Sequence, residues 1–214
     1  MYLVYIAFLT IVFSIGSVYF KTPERCAWII SAVNSLILSC VGIWKLYRLI
    51  FESKGIISRE DIFSSDLISL EACKLFVCGN VLDLVYGSIF YPKQIELLSG
   101  WLHHCGYFVV LYNVLQKGAA NGFAFSFIEE IPTFIKALGS LFPNLRSDNV
   151  FGISFFAFRI LFHIHYLYQL YINAYEYFYW KFVLFVFFLH AYWMYCWILG
   201  MNRRNLKNKL TNTK

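Results

Sequence analysis

The chain has 214 residues, of which 60% are hydrophobic, 21% are aromatic and only 14% are charged. Soluble domains carry about 25% charged residues, so this composition excludes a water-soluble globule and predicts an integral membrane protein. A bilayer crossing needs about 20 residues, so seven crossings would use about 140 of the chain's residues. The remainder is too short for an appended soluble enzyme or nucleic-acid-binding domain.

Seven apolar runs are long enough to cross a bilayer, and they predict seven helices because a lipid-exposed backbone must satisfy its own hydrogen bonds. In chain order, the runs are about 1–20, 27–51, 66–90, 95–115, 122–142, 150–173 and 180–201. The predicted fold class is therefore an all-α integral membrane protein with a bundle of about seven transmembrane helices.

The net charge of +6 is concentrated at the C-terminus, where five bases and no acid follow the last apolar run. These bases are Arg203, Arg204, Lys207, Lys209 and Lys214. Basic segments next to a membrane helix favour the cytoplasmic side and can contact anionic lipid, so we expect a cytoplasmic C-terminus. A nucleic-acid-binding arm is the weaker interpretation because no folded basic domain precedes it.

Ionisable side chains at membrane depth are costly, so they usually face a partner or a cavity. Glu71 and Lys74 are three residues apart and are expected to pair locally. Asp83 has no basic partner at helical spacing, so it must find one on another helix or lie near the far membrane interface. His103 and His104 lie about 100° apart on a helix, so at most one is expected to enter the bundle interior.

The fifth to seventh helices carry a second group of such residues. Arg159 and His163 are four residues apart on one helical face, and Arg159 could hold the carboxylate of Glu129 or Glu130 or meet a lipid phosphate. His190 lies in the seventh helix. His163 and His165 fall on different faces, no HxxxH or HExxH spacing surrounds His103, and the six cysteines form no CxxC pair. We therefore predict no metal site.

Four segments together resemble the TLC domain, a family of membrane proteins that includes the ceramide synthases. Trp28–Ser35 (WIISAVNS) is similar to the opening helix of the family, and GNVLD at 79–83 to its Gly-to-Asp segment. GWLHHCGYF at 100–108 resembles the helix with the paired histidines. The acidic helix start, loop and Phe-rich Arg helix at 129–160 extend the likeness, which covers about 25–205.

The resemblance implies an N-terminal transmembrane helix (1–24), a six-helix TLC-like domain (25–205) around an interior cavity, and a basic tail (206–214). It implies a protein of the endoplasmic reticulum membrane that uses no cofactor, takes acyl-CoA as substrate and transfers the acyl group to a sphingoid base. On this basis His103, His104 and Asp83 are the expected catalytic residues. Glu129, Glu130, Arg159 and His163 are the expected substrate-binding residues. The expected partners are membrane lipids and not nucleic acid, with a homo-oligomer left open.

Imidazole suits acyl transfer either as a general base or as a nucleophile that accepts the acyl group, and a nearby carboxylate would orient the ring. Ceramide synthases carry a His-Asp dipeptide about 27 residues after the paired histidines, where this chain has Glu129-Glu130. This difference motivates an alternative function, a non-enzymatic sensor of lipid or regulator of membrane lipid composition or trafficking. A third class, an ion transporter, is suggested only by the number of acids and histidines at membrane depth.

Overall fold

The computed structural model describes residues 1–212, with side chains described except at position 99 and from 205 onward. The described chain is all-helical and contains no strand. Its main helices are α1 (Tyr2–Tyr19), α2 (Ile29–Phe51), α3 (Leu67–Phe90), α4 (Leu97–Leu102 and His103–Gln116), α5 (Ala120–Ala124, Phe125–Glu130 and Ile131–Leu141), α6 (Asp148–Phe155, Phe156–Phe162 and His163–Asn173) and α7 (Tyr179–Asn212). Short helices in the connections span Pro23–Cys26, Arg59–Ile62, Pro92–Gln94 and Pro143–Leu145. In the predicted basic tail, the backbone continues α7 to Asn212, and Lys214 lies outside the described residues.

Four helical segments are long and apolar enough to cross a membrane: Tyr2–Tyr19, Pro23–Phe51, Asp148–Asn173 and Tyr179–Arg204. The all-helical fold of the described residues is therefore confirmed, and the four apolar helices agree with a membrane-embedded protein, whereas the number of seven crossings stays a prediction. Between these segments, α3 carries three charged side chains and α5 is divided into shorter helices.

The apolar run at 122–142, predicted as one helix, forms consecutive short helices in α5. Phe125–Glu130 is a 3₁₀ helix, and an α-helix begins after it at Ile131 with Pro132 in its first turn. Proline has no backbone N–H and suits the first turn of a helix but not its interior. The sequence Ile131-Pro132 therefore marks a new helix start inside an otherwise apolar run.

The connections meet at two ends of the bundle. At the first end, formed by the connections 52–66, 117–119 and 174–178, Arg59 forms an ion pair with Glu176 and donates to the Asn173 carbonyl (3.2 Å). The Arg59 guanidinium holds the pKa of the Glu176 carboxyl below its usual range. The stability from this pair is complete above the ordinary carboxyl pKa and is lost as pH falls through the lowered one.

The second end is formed by the connections 20–28, 91–96 and 142–147. Aromatic contact joins Phe20 to Phe142, with 5.3 Å between the ring centroids. The side chain of Arg204, near the end of α7, lies 3.2 Å from the Asp148 carboxylate. The basic C-terminal segment therefore begins at the second end.

A buried polar network ties α2 to the first end. Lys45 is only 1% exposed, and its ammonium donates to the Asp66 carboxylate (2.7 Å) and to the side-chain oxygen of Asn121. Asn121 in turn donates to the backbone carbonyl of Asp61 (2.9 Å), and Asp66 caps α3 by accepting from the Ser69 N–H (2.7 Å). One lysine therefore connects α2, the connection 52–66 and α5. On α3, Glu71 and Lys74 form the predicted local pair at 2.7 Å.

The closest approach in the core is between α2 and the 3₁₀ segment of α5. A Cβ atom on Gly42 would overlap the backbone of Phe127 and Ile128. Only the absence of a side chain at Gly42 lets these two elements pack backbone against backbone.

We expect Gly42→Ala to lower the free energy of unfolding by about 1–3 kcal/mol, because the added methyl group must push the two elements apart. The matched control is Gly200→Ala on α7, where nothing lies within 4 Å of the added Cβ. The measurement is denaturant-induced unfolding in detergent. Equal stability of the two variants would contradict the close contact.

Candidate functional site

A cavity of about 630 Å³ lies inside the second end of the bundle. Residues from α2 to α7 line it, and its wall combines ionisable side chains with tryptophans. All three predicted catalytic residues, Asp83, His103 and His104, line it together with Arg159. The structure therefore brings four of the predicted site residues to one space.

The paired histidines follow directly on a π-helical segment, Leu97–Leu102, which forms the beginning of α4. Such wide turns are rare and occur frequently at functional sites. The sequence predicted that at most one of the two rings would enter the bundle interior, but both His103 and His104 line the cavity. The ring centroids are 5.6 Å apart at 71°, and the cavity is wide enough for two diverging rings to reach it.

The predicted partner of Asp83 on another helix is present. Nε2 of His104 lies 3.5 Å from Oδ2 of Asp83, and the Tyr91 hydroxyl donates to Oδ1 of the same carboxylate (2.9 Å). The His104 imidazole therefore has a carboxylate beside it, and the Tyr91 hydroxyl holds the other oxygen of that carboxylate. His103 is held by its ring faces, against Tyr107 at 4.8 Å and Trp193 at 5.8 Å between centroids.

Arg159 sits in a second π-helical segment, Phe156–Phe162 of α6. Its Nε donates to the backbone carbonyl of Glu129 (2.9 Å), and its terminal nitrogen donates to the Thr133 hydroxyl (2.7 Å). The expected pairing with Glu129 thus occurs through the backbone and not through the carboxylate. The reason is that the Glu129 side chain is turned toward His163.

Behind the cavity, Glu129, His163 and His190 form a buried cluster. Nδ1 of His163 is 2.9 Å from Oε1 of Glu129, and Nδ1 of His190 is 3.8 Å from Oε2. Of the four predicted substrate-binding residues, only Arg159 belongs to the described cavity lining, whereas Glu129, Glu130 and His163 do not. A ligand in the cavity would therefore meet Arg159 first.

The cavity wall contains buried polar atoms without a partner among the described residues. Nδ1 of His104 and Nε1 of Trp197 make no hydrogen bond, although both residues line the cavity. Both atoms are covered by neighbouring atoms and do not open onto the space of the cavity, so a ligand would reach them only after a side-chain movement.

The outer cavity wall contains three basic residues, Lys136, Arg146 and Arg204, and two acidic ones, Glu96 and Asp148. Asp148 lies close to both arginines. Lys136 rests over the ring of Trp28 at 4.9 Å. Guanidinium and ammonium groups recognise phosphate and carboxylate, so this part of the wall suits an anionic group.

Sequence reasoning missed Tyr91, Trp193, Trp197 and Lys136 as site residues. Trp193 and Trp197 form part of the cavity wall, but they lie in the aromatic-rich stretch 175–197, where the sequence alone does not separate cavity residues from membrane-interface or packing residues. Tyr91 comes directly before Pro92 at the end of α3, where the sequence indicates a chain break and not a site. The available signal was the distance of eight residues from Asp83, which is about two helical turns.

Searches against protein-family models, curated proteins and solved structures find no match to this chain.

Proposed function

We propose that the protein is a TLC-like membrane protein that binds lipid in this cavity and transfers an acyl group from acyl-CoA to the amine of a sphingoid base. The observation that supports this proposal best is that His103, His104 and Asp83 line one cavity, with His104 beside Asp83. A general base and a carboxylate that stabilises its protonated form are the groups that N-acyl transfer requires.

The proposed reaction has two steps, and one proton moves in each of them. One imidazole takes a proton from the attacking amine while the amine nitrogen forms a bond to the thioester carbonyl carbon. The C–S bond then breaks, and the imidazolium returns the proton to the leaving thiolate. Asp83 stabilises the imidazolium in the interval because its carboxylate lies beside His104.

The three basic residues of the outer wall suit the phosphates of coenzyme A. Lys136, Arg146 and Arg204 would hold these groups while the acyl chain extends toward the histidines and Arg159. We further propose that the second end faces the cytoplasm and that the membrane is the endoplasmic reticulum. This orientation agrees with the basic segment that follows Arg204 and gives water-soluble acyl-CoA direct access.

The test is product formation by the purified protein in lipid nanodiscs, supplied with labelled acyl-CoA and a sphingoid base. We expect labelled amide above the level of empty nanodiscs. The variant Ser31→Trp places an indole in the cavity lining and is expected to abolish product, whereas Ser14→Trp, on the exposed face of α1, is the matched control and is expected to retain it. Equal product from both variants would contradict a reaction in this cavity.

The alternative function is a non-enzymatic lipid sensor or regulator, and one observation favours it. The contact between His104 and Asp83 is 3.5 Å, longer than a strong hydrogen bond, and His103 is held by aromatic packing. The same nanodisc preparations distinguish the two functions. Stoichiometric bound lipid in native mass spectra, together with no amide product from the wild type, would establish the sensor and exclude the transferase.

A further inference from the structure

The cluster of Glu129, His163 and His190 unites three separate elements at the centre of the bundle. Glu129 comes from the 3₁₀ segment of α5, His163 from α6 directly after its π-helical segment, and His190 from the middle of α7. All three residues are buried, with 5%, 2% and 1% of their surfaces exposed respectively. One ligand atom from each lies within 4.8 Å of the other two.

The hydrogen bonds of His163 show which nitrogen carries its proton. Nε2 is 2.8 Å from the backbone carbonyl oxygen of Val183, and a carbonyl can only accept, so Nε2 must donate. In the neutral ring, Nδ1 then presents a lone pair, and this lone pair faces the Glu129 carboxylate at 2.9 Å. A nitrogen lone pair and a carboxylate oxygen at this distance repel each other unless a proton or a metal ion lies between them.

His190 has a nitrogen that is left unsatisfied. Its Nδ1 is buried and has no hydrogen-bond partner among the described residues. That unpartnered nitrogen lies 3.8 Å from the second oxygen of Glu129. A proton shared by Glu129 and His163 would satisfy only that pair and leave Nδ1 of His190 unsatisfied. A metal ion would satisfy the carboxylate and both imidazole nitrogens.

We propose that Glu129, His163 and His190 bind a divalent transition metal ion, with zinc as the best fit, at a site separate from the cavity. Two imidazoles and one carboxylate form a known set of zinc ligands, with metal–ligand distances of about 2.0–2.2 Å. Ligand atoms at these distances in a tetrahedron are about 3.3–3.5 Å apart. The observed separations are 2.9 Å from His163 to one Glu129 oxygen and 3.8 Å from His190 to the other, and one ligand atom from each residue lies within 4.8 Å of the other two. The side chains must therefore move closer together to hold the ion.

Neighbouring groups orient the ligand side chains, as is typical of metal sites. Metal-binding histidines donate their second nitrogen to a carbonyl or carboxylate, which sets the tautomer and the direction of the ring. Here Val183 provides such a carbonyl to His163. Arg159 also fixes the Glu129 backbone, which leaves the carboxylate free for the ion. The linear sequence lacks a metal motif because each ligand comes from a different element.

The experiment measures the zinc content of the purified protein after chelator treatment, reloading with Zn²⁺ alone and removal of free metal. We expect about one zinc ion per chain, and a fall of at least about tenfold in the His163→Ala/His190→Ala variant. His165→Ala is the matched control, because His165 is two residues from His163 and outside the cluster, and it should keep the ion. The His103→Ala/His104→Ala variant should also keep it, which separates this site from the cavity and from the proposed function.

A second measurement guards against variants that fail to fold. Zn²⁺ should raise the unfolding temperature of the chelator-treated wild type and of His165→Ala, because an ion that binds only the folded state stabilises it. It should not raise that of Glu129→Gln, which keeps nearly the same shape but weakens the charge that attracts the ion. Less than about one-tenth of a zinc ion per reloaded wild-type chain would overturn the proposal. Equal zinc content in the wild type and in the His163→Ala/His190→Ala variant would assign the ion to another site, such as the six free cysteines, and would also overturn it.

Discussion

Replacement of both His103 and His104 by alanine is expected to lower the rate of amide formation by about 10²–10⁴-fold, the usual contribution of a positioned general base. The reason is geometric: both rings line the cavity, and the described structure places a carboxylate beside one of them. The measurement is the initial rate of labelled product in nanodiscs at saturating acyl-CoA.

Single variants identify which ring acts. If His104 is the base, His104→Ala and Asp83→Asn should both lower the rate, and His103→Ala should have the smaller effect, through lost packing on Tyr107 and Trp193. His165→Ala is the control, because His165 lies outside the described cavity lining. A double variant of His103 and His104 that turns over at the wild-type rate, with its fold intact, is incompatible with the proposed chemistry.

Lys45→Met is expected to lower the free energy of unfolding by about 3 kcal/mol, the low end of the range for removing one partner of a buried ion pair. Methionine keeps most of the apolar stem of Lys45 but leaves Asp66 and Asn121 without their donor. The low end applies because the Asp66 side chain is 37% exposed and stays partly hydrated. The measurement is denaturant-induced unfolding in detergent.

Two further variants test the cause of this loss. Lys117→Met removes an exposed lysine at the same end of the bundle and should change stability little. The double variant Lys45→Met/Asp66→Asn should recover part of the loss, because asparagine is uncharged and can still cap α3 through its side-chain oxygen. No recovery would mean that the effect of Lys45→Met comes from packing and not from an unpaired carboxylate.

The sequence predicted well those features that depend on one helix at a time. Charges three residues apart identified the pair of Glu71 and Lys74, and the absence of a local partner for Asp83 correctly pointed to another helix. These predictions need only the helical repeat and the cost of an unpaired charge in lipid. The all-helical, membrane-embedded class follows from composition in the same way.

Contacts that join three or more helices could not be predicted from the spacing of residues within one helix. Glu129, His163 and His190 come together only once α5, α6 and α7 have packed, and nothing in their spacing indicates it. The carboxylate of Glu129 could be assigned to Arg159 from charge alone, but the 3₁₀ turn directs it to His163. Lys45 is buried in a network that joins three elements, and its position within one apolar helix does not indicate those partners.

The π-helical segment that precedes His103 gives α4 one residue more than a regular α-helix of the same length needs. If one residue of Leu97–Leu102 were lost, the wide turn could close into a regular α-turn, and both histidines would keep their direction toward the cavity and Asp83. Loss of one residue from the regular helix after this segment would instead rotate the residues on one side of the deletion by about 100° relative to those on the other. A related chain could therefore lack one residue before its paired histidines and still keep the site.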